Sequence, residues 1–357
     1  MTIRWGIIGC GDVCEVKSGP AFYKAPGSAL SIVMRRNGAL AADFAKRHGV
    51  PRSTTDAEAL IADPEVDAVY IATPPGTHLS YALLVASAGK ACYVEKPMAR
   101  SAAECRTMID AFERAKQPLF VAYYRRALPR FLKVKEIIGS GALGSIVAVS
   151  HIYQGRANPE RGKPGWSQKA GWREDVAEAG GGLFLDLGSH VIDLLDFLMG
   201  PLVGVGGHAA RRAAPEGAPP DPAAPEDTVV LSFETASGVI GTARYQFHTA
   251  SSVDRLEFVG TRGTLSLSVF GKEPIDLNIG GSHDRIETEQ PEHVHLPLVL
   301  SVVSELTGGG KRCASTGASA LRASEVMDRV LDAYYGGRAD AFWARPDTWP
   351  GAKPARA

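Results

Sequence analysis

Apolar and polar positions follow two regimes along the chain. In the first third, short apolar runs (Ile3–Ile8, Leu30–Met34, Ala68–Ala72, Ala91–Val94 and Leu119–Ala122) are separated by stretches with helical spacing. Those stretches, Ala39–His48, Thr77–Ala88 and Ala102–Lys116, end at Gly49, at Gly89 and before Pro118, the residue types that stop a helix. Alternation of strand and helix predicts a parallel sheet with crossover helices, a doubly wound α/β unit.

After Tyr124 the rhythm changes. A helix over about Leu128–Ile138 leads into the β-branched run Ile146–Ile152, then a loop rich in Gly, Pro and Trp, then a long helix from about Leu183 to Met199. Between Thr228 and Phe270 four strand-like runs are joined by tight glycine turns, which predicts an antiparallel sheet. The segment Pro215–Pro222 suits neither element and reads as a surface loop. Helical patterns at Pro297–Leu306 and Ala318–Tyr335 close the chain, and no internal repeat is visible. The expected architecture is an α/β domain over residues 1–123, followed over 124–357 by an α+β domain on a large, open, mostly antiparallel sheet.

Composition narrows the function classes. At 357 residues, 45% hydrophobic and 22% charged, the chain is neither disordered nor fibrous, and its length suits two domains. Lysine plus arginine (39) cancels aspartate plus glutamate (39), so bulk charge gives no footprint for nucleic acid or an anionic membrane. The five cysteines (Cys10, Cys14, Cys92, Cys105, Cys313) have neither metal-ligand nor disulfide-framework spacing, and read as reduced thiols with no metal site. No signal-peptide pattern opens the chain, and no apolar run approaches the roughly 18–20 residues of a membrane span. A cytoplasmic location is expected.

Three motifs carry chemistry. The first is Gly9-Cys10-Gly11-Asp12-Val13-Cys14, between the first strand and a helix. Gly9 suits the tight turn, Gly11 lets backbone amides approach a pyrophosphate, and the helix N-terminus adds partial positive charge. Cys14 replaces the usual third glycine. At the end of the second strand an acid normally accepts the ribose 2′-hydroxyl of NAD. Here the chain reads Val33-Met34-Arg35-Arg36-Asn37, with no acid before Asp43. Guanidinium groups at Arg35 and Arg36 suit a 2′-phosphate, so NADP is expected, with NAD as the alternative.

The second motif, Glu95-Lys96-Pro97, ends the fourth predicted strand, where ligands of open parallel sheets sit. Taken alone, such a tripeptide is more often a surface turn than a catalytic site. The third runs from Gly180-Gly181-Gly182 through Asp186-Leu187-Gly188-Ser189-His190 to Asp193. On a continuous helix Asp186, His190 and Asp193 share one face, beside an apolar stripe of Leu187, Val191, Leu194 and Leu198. A histidine between carboxylates, reached through a flexible triple glycine, suits proton transfer. The same pattern also suits a buried structural histidine.

These motifs, in this order, resemble the glucose–fructose oxidoreductase/inositol dehydrogenase (Gfo/Idh/MocA) family over nearly the whole chain. Further anchors are Ala72-Thr73-Pro74-Pro75 with His78, Tyr124-Arg125-Arg126, and Val259-Gly260-Thr261-Arg262-Gly263-Thr264-Leu265. The resemblance implies a Rossmann first domain and a second domain for substrate binding and for assembly into homodimers or homotetramers. It implies that Lys96 is the essential lysine, that Asp186 binds substrate, and that His190 exchanges the hydroxyl proton. Gly9, Cys10, Gly11, Asp12, Val13, Thr73, Pro74, His78, Glu95 and Lys96 fall where relatives border the nucleotide. Tyr124, Trp172 and Arg173 fall where relatives line the sugar pocket.

The expected function is hydride transfer between a nicotinamide and a secondary alcohol or ketone of a sugar, cyclitol or related cyclic diol, the cofactor carrying the hydride and the protein one proton. Two alternatives share the fold: a nucleotide sensor without catalysis, and an enzyme that uses transient oxidation to cleave or epimerise glycosides. Retention of Lys96, Asp186 and His190 together argues against the sensor.

Overall fold

The computed structural model describes residues 1–157, 171–212, 221 and 223–352. The chain divides into two compact units. The first comprises Met1–Arg100, Glu104–Leu128 and Gln290–Leu321; the second comprises Ser101–Ala103, Pro129–Glu289 and Arg322–Ala357.

In the first unit, strands β1 (Ile3–Ile8), β2 (Ser28–Met34), β3 (Arg52–Thr54), β4 (Ala68–Ile71), β5 (Ala91–Val94) and β6 (Leu119–Val121) form a six-stranded sheet in the order β3-β2-β1-β4-β5-β6. Every pairing is parallel. The order reverses between β1 and β4, so the crevice for a ligand opens at the carboxyl ends of those two strands. All five expected strands are present, and the helix expected to open at the glycine motif is α1 (Asp12–Val16); β3 and the helices α2 (Gly19–Lys24) and α4 (Ala57–Ala62) are additional. Helix α3 (Gly38–His48) starts at Asn37, whose side chain accepts the Leu40 amide, and stops at left-handed Gly49. Helix α5 (His78–Ser87) and helix α6 (Ala102–Ala115) complete the crossovers.

Side chains alternate across this sheet into two cores. One gathers Trp5, Ile7, Phe22, Tyr70 and Tyr93, the other Ile8, Val69, Ile71, Cys92 and Val94. The first core is completed by Leu298, Val299, Val302 and Val303 from the helix Leu296–Leu306. The expected two-part division at residue 123 therefore differs from the structure: the chain enters the second unit at Pro129, and Gln290–Leu321 returns to the first. The physical reason is the apolar face of that helix, which is buried against the first unit.

In the second unit, strands β7 (Ile146–Arg156), β8 (Leu202–Ala210), β9 (Thr228–Thr235), β10 (Ile240–Thr249), β11 (Val253–Gly260), β12 (Gly263–Leu267), β13 (Ile275–Ile279) and β14 (Ser282–Ile286) form an eight-stranded sheet. Its order is β14-β13-β12-β11-β7-β10-β9-β8, and β7–β10 is the parallel pair in an otherwise antiparallel set. Period-two burial is plain in β9, where Val229, Leu231 and Phe233 are buried and Val230, Ser232 and Glu234 are exposed. Val230, Ile240 and Val253 stand on one open face of the sheet. The loop expected at Pro215–Pro222 lies, apart from Asp221, outside the described residues.

Candidate active site

The turn after β1 is built for close approach. Gly9 takes a left-handed φ of +87°, and a Cβ there would stand 2.7 Å from the Thr73 methyl. That contact brings together the loops that follow β1 and β4 at the strand-order switch. The Gly11 amide donates to the Gly9 carbonyl at 2.7 Å, closing the turn. A Cβ on Gly11 would meet only the Gly9 carbonyl oxygen at 3.8 Å, so open space faces this backbone. Asp12 and Val13 begin α1, where an α-helix has N–H groups without internal acceptors. Glycine backbone beside orphan amides fits a pyrophosphate. Because α1 is only five residues long, these local amides matter more than a long helix dipole. Cys10 is buried, which pushes its thiol up to about 11, and Cys14 is buried beneath the turn.

Arg35 and Arg36 follow β2, with Arg35 half-buried and Arg36 exposed. The Arg35 amide donates to the Thr54 carbonyl at 3.2 Å, anchoring the backbone to β3. Asp43, the first acid downstream, accepts a hydrogen bond from Arg47 Nε at 2.7 Å. Among the described residues that acid is paired within its own helix, whereas the two arginines have no ion pair.

Thr73, Pro74 and His78 lie at the crevice end of β4. The fully buried His78 imidazole puts Nε2 2.7 Å from the Thr73 carbonyl and Nδ1 3.2 Å from those of both Pro97 and Met98. Both ring nitrogens thus face backbone, and burial holds the pKa below the usual histidine value. His78 ties the β4 loop to the Lys96–Pro97 turn.

That turn follows β5. Glu95 is buried, Lys96 half-buried, and the Glu95 carboxylate accepts the Lys96 amide at 3.1 Å on Oε2 and the Tyr70 hydroxyl at 2.5 Å on Oε1. Tyr70 also lies 3.0 Å from the buried Ser18 hydroxyl. Behind Glu95 stands His295, from the returning segment, with Nε2 3.7 Å from Glu95 Oε1. Tyr124 packs its ring on His295 at 4.6 Å and accepts a hydrogen bond from Arg125 at 2.9 Å. Sequence reasoning missed His295; its only signal was the pair of histidines, His293 and His295, just before an apolar helix.

In the second unit the predicted continuous helix is interrupted. Residues Phe184–Gly188 form a π-helical turn, and the α-helix runs over Ser189–Met199. Gly188 makes the wider turn possible, since a Cβ there would meet the Phe184 ring at 2.5 Å. The expected shared face is altered accordingly. Leu187 leaves the apolar stripe and is half-buried, while Asp193 is fully buried, His190 is 5% exposed and the Asp186 side chain 22% exposed. Arg173 Nε pairs with Asp186 Oδ2 at 3.2 Å, and its guanidinium lies 4.4 Å from the Trp172 ring centre. His190 meets the Phe270 ring edge-on at 6.1 Å. Asp186, Arg173 and Trp172 are therefore one cluster.

The triple glycine is packed rather than flexible. The buried Glu226 carboxylate accepts the Gly182 amide at 3.0 and 3.1 Å and the Tyr335 hydroxyl at 2.5 Å. A Cβ on Gly182 would lie 2.3 Å from the Glu226 carbonyl oxygen. Glycine is required at this position by close backbone approach.

A further polar group on the inner sheet face escaped the sequence reading. Asp254 accepts hydrogen bonds from His151 Nε2 at 3.2 Å, Ser268 Oγ at 2.5 Å and the Phe270 amide at 2.6 Å. Burial alone would raise its pKa, but those donors outweigh it and hold the carboxyl below its ordinary value. Tyr153, across β7 from Asp254 on β11, has its pKa raised by burial and by the charges of Asp254 and Asp186. The legible signal was an aspartate in phase with Leu256 and Phe258, on the buried side of a strand.

Residues 3–123 match the model of the oxidoreductase family with an NAD-binding Rossmann fold. Residues 131–266 match the GFO/IDH/MocA C-terminal domain. The two matches together define an oxidoreductase. The chain belongs to the GFO/IDH/MocA family. Oxidoreductase P35 of Formosa agariphila is 36% identical over 327 residues, 91% of this chain and 97% of that protein. Levoglucosan dehydrogenase of Pseudarthrobacter phenanthrenivorans is 29% identical, covering 74% of this chain and 71% of that protein. A solved levoglucosan dehydrogenase complex with NADH and L-sorbose shares the fold with a TM-score of 0.79 at 23% identity, covering 93% of this chain and 96% of that one. Aldose-aldose oxidoreductase of Caulobacter crescentus, complexed with glycerol, gives 0.80 at 22% identity, covering 95% and 99%. Among the described residues no helix is long and apolar enough to cross a membrane.

Proposed function

We propose that this chain is an NADP-dependent dehydrogenase or reductase acting on a secondary alcohol or ketone of a sugar, cyclitol or related cyclic diol. The observation that carries the reading is the placement of Lys96. It stands on the turn after β5, beside the strand-order switch, and His78 joins that turn to the loop next to Gly9. The names of relatives, levoglucosan dehydrogenase, 1,5-anhydro-D-fructose reductase and inositol 2-dehydrogenase, support a polyhydroxylated ring as substrate.

When bound, the nicotinamide supplies the hydride acceptor or donor. The backbone of Gly9, Cys10, Gly11, Asp12 and Val13 holds the pyrophosphate, with Thr73, Pro74 and Glu95–Lys96 bordering the nucleotide. Lys96 donates a hydrogen bond to the reacting oxygen and stabilises negative charge there. His190 accepts the hydroxyl proton during oxidation and returns it during reduction. Asp186 accepts from a neighbouring hydroxyl, with Arg173, Trp172 and Tyr124 lining the sugar. The open outer face of the second sheet, with Val230, Ile240 and Val253 exposed, supports assembly with further copies of this chain as a dimer or tetramer. The five free cysteines, all buried, support a cytoplasmic location.

The NADP preference rests on Arg35 and Arg36, which have no carboxylate partner among the described residues, and on Asp43 being held by Arg47. A charged hydrogen bond is worth about 1.5–3 kcal/mol, or roughly ten- to a hundredfold in affinity. A panel of sugars, inositols and cyclic diols, followed at 340 nm with each nicotinamide, tests the reading. We expect turnover with a kcat/KM for NADP+ at least about tenfold above that for NAD+, and loss of the preference in Arg35→Ala/Arg36→Ala. An unchanged preference in that variant would contradict it.

A further inference from the structure

The segment that returns to the first unit brings a histidine to the back of the Glu95-Lys96 turn. His295 is 1% exposed and lies outside the residues matched by the family models, 3–123 and 131–266. Its placement is held from several sides. The His295 amide donates to the Lys17 carbonyl at 3.2 Å, and His293 Nδ1 lies 2.7 Å from the Val16 carbonyl, so the segment is pinned across the break between α1 and α2. Leu298, Val299, Val302 and Val303 then anchor the following helix in the core.

The ring itself faces two groups through its two nitrogens. Tyr93 Oη lies 3.2 Å from Nδ1, and Glu95 Oε1 lies 3.7 Å from Nε2. A tyrosine hydroxyl donating to Nδ1 leaves the proton on Nε2, directed at the carboxylate. Burial keeps the ring neutral, as do the positive charges of Lys17, Lys96 and Arg125 around it. Tyr124 covers one face of the ring. Glu95, meanwhile, accepts the Lys96 amide on its other oxygen. A continuous set of contacts thus runs from Tyr93 through His295 and Glu95 to the backbone of Lys96.

We propose that His295 is a positioning residue for Lys96, acting through Glu95. The 3.7 Å separation makes the contact between the neutral His295 ring and the Glu95 carboxylate one of N–H dipole and shape rather than a full hydrogen bond. It backs the carboxylate beside the Tyr70 hydroxyl. With His295 absent, Glu95 gains freedom to rotate and the Lys96 turn loses its fixed backing. The lysine then spends less time in the geometry needed for turnover, where a displacement of about 1 Å costs roughly a hundredfold. The proposal rests on the reading of Lys96 as the group that meets the reacting oxygen.

The test compares His295→Leu, His295→Gln, Tyr93→Phe, Glu95→Gln, the His295→Leu/Glu95→Gln pair and Lys96→Met in the full chain, with kcat normalised to the NADPH-binding fraction. His295→Leu should lower kcat roughly ten- to a hundredfold, with NADPH affinity within about twofold. Glutamine, which restores a donor toward Glu95, should recover most of the loss. Tyr93→Phe, which removes only the hydroxyl behind the ring, should lower kcat in the same direction by a smaller factor, and serves if His295→Leu does not fold. The double variant should match Glu95→Gln alone, because a residue acting through another adds nothing once the other is gone. Full activity of both His295→Leu and Tyr93→Phe beside an inactive Lys96→Met would overturn this proposal and leave the lysine reading intact. Independent, multiplying losses in the double variant would overturn it too. An active Lys96→Met would overturn the lysine reading and this inference with it.

Discussion

Buried imidazoles hold the loops of the first unit, and they titrate in a way that shows in stability. His295 is held down to about 3 by burial, then by the charges of Lys17, Lys96 and Arg125, against an ordinary histidine value near 6.5. Between those limits the unfolded chain binds a proton that the folded chain does not. Stability therefore falls as pH drops from 6.5 toward 3, by up to about 1.4 kcal/mol per pH unit. His78, lowered for the same reason, contributes with the same sign. Urea unfolding at pH 7, 6 and 5 should show a steeper loss for the wild-type chain than for His295→Leu; parallel curves would contradict the assignment. At this scale the sequence reveals groups whose neighbours are near in the chain: Gly9, Arg35, Arg36 and Lys96 each announce themselves by the strand they follow. His295 meets Glu95 across a separation of 200 positions, and no local pattern encodes that meeting.

Helices and strands were legible where they ran long enough to show a period. β9, with four alternating buried positions, is unmistakable, and the apolar face of Leu296–Leu306 is equally plain. β3, with three residues, and α2 and α4, with six each, are too short to establish one. The π-helical turn at Phe184–Gly188 was hidden for another reason. An i, i+4 spacing looks the same before and after one extra residue enters a turn, so Asp186 and His190 appear in register although Leu187 and Asp193 do not behave as an uninterrupted helix requires. The glycines ahead of that turn suggest freedom in the sequence and serve packing in the fold. Gly182→Ala should destabilise the second unit by about 1–3 kcal/mol, because its methyl must displace the Glu226 backbone 2.3 Å away. A shifted denaturation midpoint checks it, and an unchanged midpoint would show that the backbone yields freely.

At the scale of the whole molecule, the doubly wound sheet, the large antiparallel sheet and the family all follow from the order of elements and motifs. The return of Gln290–Leu321 to the first unit does not, because an amphipathic pattern tells that a face is buried and not what buries it. The proposed chemistry is hydride transfer at a secondary alcohol or ketone. Its centre is the lysine. The most direct measurement is nicotinamide turnover at 340 nm by Lys96→Met on any substrate the wild-type chain oxidises, with NADPH binding titrated in parallel. The account predicts a fall in kcat of roughly a hundred- to a thousandfold with NADPH affinity within about twofold; wild-type turnover by that variant would contradict it.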